Sequence, residues 1–170
     1  MRESLVRVNH DRRKQASLAA TRAPVETKSY IEPCMNKSGK ITNGKTGKTF
    51  PIEVGSANDS GVIYGAKCRK HDMLCFGYTT NSLNERFNVH RSDIACKPNS
   101  CELVKPFSTN DCNFTSDLEI SVLAYCNGST EHMQLEEDKW ITRLNSLQPN
   151  GLNEKLSPYG KLFYKLFGSN

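Results

Sequence analysis

Between residues 48 and 125 the apolar positions come in short runs separated by turn residues, the rhythm of strands. The clearest run is 118–125, where Leu118, Ile120, Val122 and Ala124 alternate onto one face. Residues 61–65 and 73–78 read as two strands of a hairpin joined by a charged turn. Residues 48–54 read as an edge strand, because Pro51 cannot donate to a central ladder. Residues 102–105 read as one more short strand. Turn residues punctuate these runs at 42–44, 58–61 and 97–100.

The period changes after Cys126. Ser129 or Thr130 can cap a helix running to about Leu147, with Glu131 near its positive end. Met133, Trp140, Ile141, Leu144 and Leu147 share one helical face, so this helix is expected to pack on the sheet. Glu136, Glu137 and Asp138 fall elsewhere and read as a solvated face. Ser157-Pro158 opens a last short helix. Its apolar residues, Leu162, Phe163, Tyr164, Leu166 and Phe167, are expected to complete the core, with contact to a membrane surface as the rival. The fold class implied is α+β: a small, disulfide-stabilised, antiparallel β-rich core with a C-terminal amphipathic helix packed on it. The expected boundaries are a disordered basic tail at 1–28, a cysteine-rich domain at 29–148 and a short helical tail at 149–170.

Composition narrows this picture. A chain of 170 residues suits one domain with tails. No run reaches the ~18 apolar residues of a spanning helix. The net charge is +5, and residues 1–28 hold most of it: Arg2, Arg7, Arg12, Arg13, Lys14, Arg22 and Lys28 stand against Glu3, Asp11 and Glu26. The first aromatic residue is Tyr30, so no aromatic is interleaved with these basic residues. That pattern disfavours nucleic acid as the main partner.

Seven cysteines lie within 34–126: Cys34, Cys68, Cys75, Cys96, Cys101, Cys112 and Cys126. Three disulfides and one odd thiol would suit a polar secreted domain, and the odd thiol could bridge to another chain. About 105 pairing schemes remain open. The competing reading is zinc, assembled from Cys68, His71, Cys96 and Cys101, although no Cys-x2-Cys pair is present. Four sequons, at Asn36, Asn58, Asn113 and Asn127, occupy the same span as the cysteines and add to the secretory tilt. Residues 1–24 lack the apolar stretch of a signal peptide, so that reading needs a different start to the chain.

Candidate chemistry is sparse. Gly39 to Thr46 spells the letters of a phosphate-binding loop, but no hydrophobic strand precedes it, and Gly47 and Pro51 forbid the helix that must follow. A hairpin turn explains it better. No nucleophile elbow and no His-Glu-x-x-His motif occur. His10, His71, His90 and His132 carry no spacing signal, although an odd cysteine with His71 or His90 could make a nucleophilic dyad.

The expectation is a secreted or lumenal, glycosylated, non-enzymatic binding or structural module without cofactor, recognising a protein or a glycan. One rival is an intracellular zinc-stabilised module with a nucleic-acid-binding N-terminal arm. The other is a small secreted hydrolase or inhibitor using the odd cysteine.

Overall fold

The structure, a computed structural model, describes residues 29–97, 100–108 and 111–167. The basic tail expected at 1–28 lies outside the described residues. The fold class is α+β, as the patterning implied. Its centre is a three-stranded antiparallel sheet in the order β4–β3–β5, built from β3 (Val62–Cys68), β4 (Met73–Thr79) and β5 (Leu118–Tyr125). A separate hairpin joins β1 (Lys40–Thr42) to β2 (Thr49–Pro51). It contains the rejected phosphate-loop letters. Asn43, buried at its turn, donates from Nδ2 to the Leu144 carbonyl at 2.7 Å.

β3 is central, so both of its faces are covered. Val62, Tyr64, Ala66 and Cys68 point into one core, with Leu83, Phe87, Leu118, Ile120 and Val122. Ile63 points into a second core, with Leu74, Phe76, Trp140, Ile141 and Leu144. The first core takes helix α1 (Leu83–Cys96), and the second takes α3 (Thr130–Leu144). The sequence alternation on β5 holds as far as Val122. The register then slips opposite Ile63/Tyr64, and Leu123 and Ala124 both turn to the second core. A bulge of one residue does this, because it reverses every later side chain.

Helix α1 is absent from the sequence reading. Ser82 starts it with a capping box: its Oγ accepts from the Glu85 N–H at 3.2 Å, and Glu85 Oε2 accepts from the Ser82 N–H at 3.0 Å. Residues 102–105 are a turn that leads into the short helix α2 (Lys105–Ser108), not a strand. Lys105 pairs with Glu102 one turn back, which favours helical over extended backbone there.

The outer edge of β4 is sealed by residues that follow α3. Leu152 N–H donates to the Leu74 carbonyl at 2.8 Å. Asn153 pairs through its side-chain amide with both backbone groups of Phe76, each at 3.0 Å. An exposed strand edge is thereby covered without another strand. The last helix, α4 (Pro158–Phe167), packs on α3, where Asp138 accepts from the Ser157 N–H at 3.0 Å and from its hydroxyl. Tyr159, Leu162, Phe163, Tyr164 and Leu166 are exposed on α4, so these residues do not complete the core.

The disulfide stabilisation expected from the sequence is not shown by the fold. All seven cysteines are free thiols, and Cys34, Cys68, Cys112 and Cys126 are buried among apolar side chains. Buried thiols behave here as small hydrophobes, which explains their confinement to the folded span. Of the sequon asparagines, Asn36 is buried and donates to the Lys40 carbonyl and to Ser121 Oγ. Asn58, Asn113 and Asn127 are exposed. Asn113 Oδ1 accepts from the Thr115 and Ser116 N–H groups, a turn-forming role.

Candidate active site

Along the edge of β4, with the first turns of α1 on one side of the sheet and the middle of α3 on the other, lies an open cleft of about 460 Å³. β3 brings Tyr64 to it and β4 brings Tyr78. α1 brings Arg86 and His90, four residues apart and so on one side of the helix. α3 brings Glu137.

Three of these groups form a chain. Arg86 Nε donates to the Tyr64 hydroxyl oxygen at 3.2 Å. The same hydroxyl meets His90 Nε2 at 3.2 Å. With Arg86 donating, the phenol proton points to Nε2, and the histidine proton sits on Nδ1, facing Cys101 Sγ at 3.7 Å. Phe87 stacks its ring edge-on to Tyr64 and to His90, with both centroids at 5.3 Å, and fixes the two rings. Gly77 stands directly opposite Tyr64 in the register. A Cβ there would lie 2.6 Å from the phenol oxygen, so the missing side chain makes room for the hydroxyl.

The electrostatics separate the groups. Burial, and then the Arg86 charge, push His90 down to about 4, so it is neutral near pH 7. Burial pushes the Tyr64 phenol up to about 12. Burial, and then the neighbouring Asp138, push Glu137 up to about 8, against the pull of Arg86. Glu137 makes no hydrogen bond or ion pair among the described residues. Paired groups with displaced pKa values in a cleft mark a reactive site. The arrangement offers a fixed cation, a proton relay and one carboxylate on a common opening.

The reading of Glu136, Glu137 and Asp138 as a solvated face is overturned. A helix turns each successive residue by about 100°, so neighbours diverge. Glu137 enters the cleft, and Asp138 is buried against Ser157. Tyr64 and Arg86 carried no signal in the sequence, since the hairpin and α1 meet only in the fold. His132 is exposed at the start of α3.

The zinc set read from the sequence is also redrawn. Cys68 and His71 stay together, and Cys112 takes the place assigned to Cys96 and Cys101. Cys96 is exposed near the end of α1, and Cys101 lies in the cleft beside His90.

No family profile matches the chain, and no curated protein does. Two solved structures resemble it. One is a mutant of the catalytic domain of intron endonuclease I-TevI, 22% identical, covering 56% of this chain and 93% of its own, with a TM-score of 0.47. The other is the catalytic domain of homing endonuclease I-TevI, 23% identical, covering 57% of this chain and 99% of its own, with a TM-score of 0.46. The reading of a secreted, glycosylated, non-enzymatic module for a protein or glycan is corrected: its seven cysteines are free thiols, and two of them form a cluster with a histidine. The extracellular localisation and the odd-cysteine bridge rested on disulfides, and no cysteine pair stands at disulfide distance. The expectation against nucleic acid as a partner is corrected too: it weighed charge along the chain, and the fold brings Arg86 to an open cleft that a charge count does not reveal.

Proposed function

We propose that the protein is a nuclease that hydrolyses phosphodiester bonds with a divalent cation. The observation that carries this reading is the hydrogen-bonded chain Arg86–Tyr64–His90 facing Glu137 in one open cleft. Arg86 spends one donor on Tyr64 and keeps its others for a phosphate oxygen. Neutral His90 is ready to accept a proton. Tyr64 is too weak an acid to ionise near pH 7, so it serves as a relay.

In hydrolysis, a water oxygen attacks phosphorus. The water's proton passes to Tyr64 Oη while the phenol's own proton passes to His90 Nε2, and the bond from phosphorus to the leaving oxygen breaks. The leaving oxygen takes its proton from solvent. Arg86 neutralises charge on the transferring phosphate. Glu137 is the only carboxylate among the described residues lining the cleft, and it would hold the cation together with substrate oxygens. That ion would polarise the scissile phosphate. Glu137 fits the role, because its burial lacks a partner cation of its own.

The test is incubation of the full chain with plasmid DNA, and separately with single-stranded DNA and RNA, in magnesium or manganese. Cleavage that stops on chelation and in Glu137→Gln is expected. No cleavage of any of these substrates, or undiminished cleavage in Glu137→Gln, would overturn the reading.

A further inference from the structure

A second group of reactive side chains lies away from the cleft, at the far end of β3. Cys68 closes that strand, His71 sits in the following turn, and Cys112 lies in the segment leading to β5. Their donor atoms form a nearly equilateral triangle. Cys68 Sγ and Cys112 Sγ are 3.2 Å apart, and His71 Nδ1 lies 3.4 Å from the first and 3.2 Å from the second.

These distances decide between two chemistries. A disulfide needs its sulfurs at about 2.05 Å, over an ångström closer. Around a tetrahedral zinc, bonds of ~2.3 Å to sulfur and ~2.0 Å to nitrogen set ligand atoms about 3.5–3.8 Å apart. The triangle is a slightly contracted face of such a tetrahedron.

The outer contacts agree. His71 faces the sulfurs with Nδ1 and turns Nε2 to Asp111 Oδ2 at 2.8 Å. A carboxylate on the second nitrogen fixes the tautomer that leaves Nδ1 free to ligate. Lys70 holds the other Asp111 oxygen at 2.5 Å. Both thiols are buried, with Cys68 0% and Cys112 7% exposed, while the half-exposed His71 leaves a side open to solvent.

We propose that Cys68, His71 and Cys112 bind a zinc ion that ties the β3–β4 turn to the segment before β5, with solvent in the fourth position and Asp111 orienting His71. The site is independent of the nuclease reading, since none of its residues lines the cleft. The ion joins segments about 40 residues apart in sequence, so its binding stabilises the folded chain by mass action.

The full chain, purified under reducing conditions without chelator, should carry about one zinc per molecule by elemental analysis. Cobalt in its place should give a thiolate charge-transfer band. Cys112→Ser should lose both. Asp111→Asn, exposed and not a ligand, should keep the fold and weaken zinc binding about 10-fold or more. Glu137→Gln should keep the zinc, whatever it does to cleavage. A Cys68–Cys112 disulfide in peptide mapping without reduction, a zinc-free wild type after zinc loading, or unchanged affinity in both Cys112→Ser and Asp111→Asn would overturn the site.

Discussion

Arg86 Nε and His90 Nε2 meet the Tyr64 hydroxyl from two sides, each at 3.2 Å. One oxygen thus receives from a permanent cation and gives to a neutral base. Removing only that oxygen separates relay from packing. Tyr64→Phe keeps the ring against Phe87 and is expected to lower cleavage about 10²-fold or more. It also leaves buried His90 short of a partner, at a cost of about 1–3 kcal/mol. Single-turnover rates and denaturant melts measure the two effects separately.

His90 and Glu137 predict opposite pH slopes. His90 titrates near 4 in the fold and near 6.5 when unfolded. The unfolded chain then binds the extra proton, so this stability is present above about pH 6.5 and is lost as pH falls towards 4. Glu137 titrates near 8 in the fold and near 4.5 when unfolded. Its stability is present below 4.5 and is lost as pH rises through 8. Glu137→Gln should therefore flatten the alkaline side of the stability curve, and His90→Gln the acid side. Melting temperatures taken from pH 4 to pH 9 check both.

Cleavage should follow the ionised form of Glu137. Without saturating cation the rate is expected to rise towards pH 8, and higher cation concentration should move that rise to lower pH. A rise that stays fixed at every cation concentration would separate Glu137 from the metal.

Gly77→Ala alters no reactive group. Its Cβ would press on the Tyr64 hydroxyl, and the flexible partner is the phenol, not the backbone. Cleavage is expected to fall by about 10-fold or more from displacement of the relay. Gly77→Ala combined with Tyr64→Phe should be no worse than Tyr64→Phe alone, as a double-mutant cycle would show.

Asn153 imitates a strand with one amide. Asn153→Leu leaves the Phe76 N–H and carbonyl without partners at a buried edge, and Ser146 Oγ loses its acceptor. A loss of about 2 kcal/mol or more is expected by denaturant unfolding, together with concentration-dependent aggregation as the β4 edge opens.

The legible parts of this fold were those whose pattern is local. β5 and α3 announced themselves by apolar spacing, and the β3–β4 hairpin by two runs around a charged turn. α1 did not, because Leu83 and Phe87 are its main buried apolar residues over 14 positions. Its signal was Ser82 three residues before Glu85, a capping box with no hydrophobic run to point at it. The cleft was hidden for another reason. Tyr64, Arg86 and Glu137 come from three elements, and only the register of the sheet brings them together. The cysteines misled because burial and cross-linking both confine thiols to the folded span.

The order of the elements along the chain has a consequence in time. Tyr64, Arg86 and His90 all belong to the continuous stretch from β3 to α1, whereas Glu137 arrives on α3 after β5 has closed the sheet. A ribosome making this protein therefore completes the proton relay 47 residues before the carboxylate emerges. Under the nuclease reading, an unfinished chain would be harmless to the messenger that encodes it, and competence would begin only when the second core assembles.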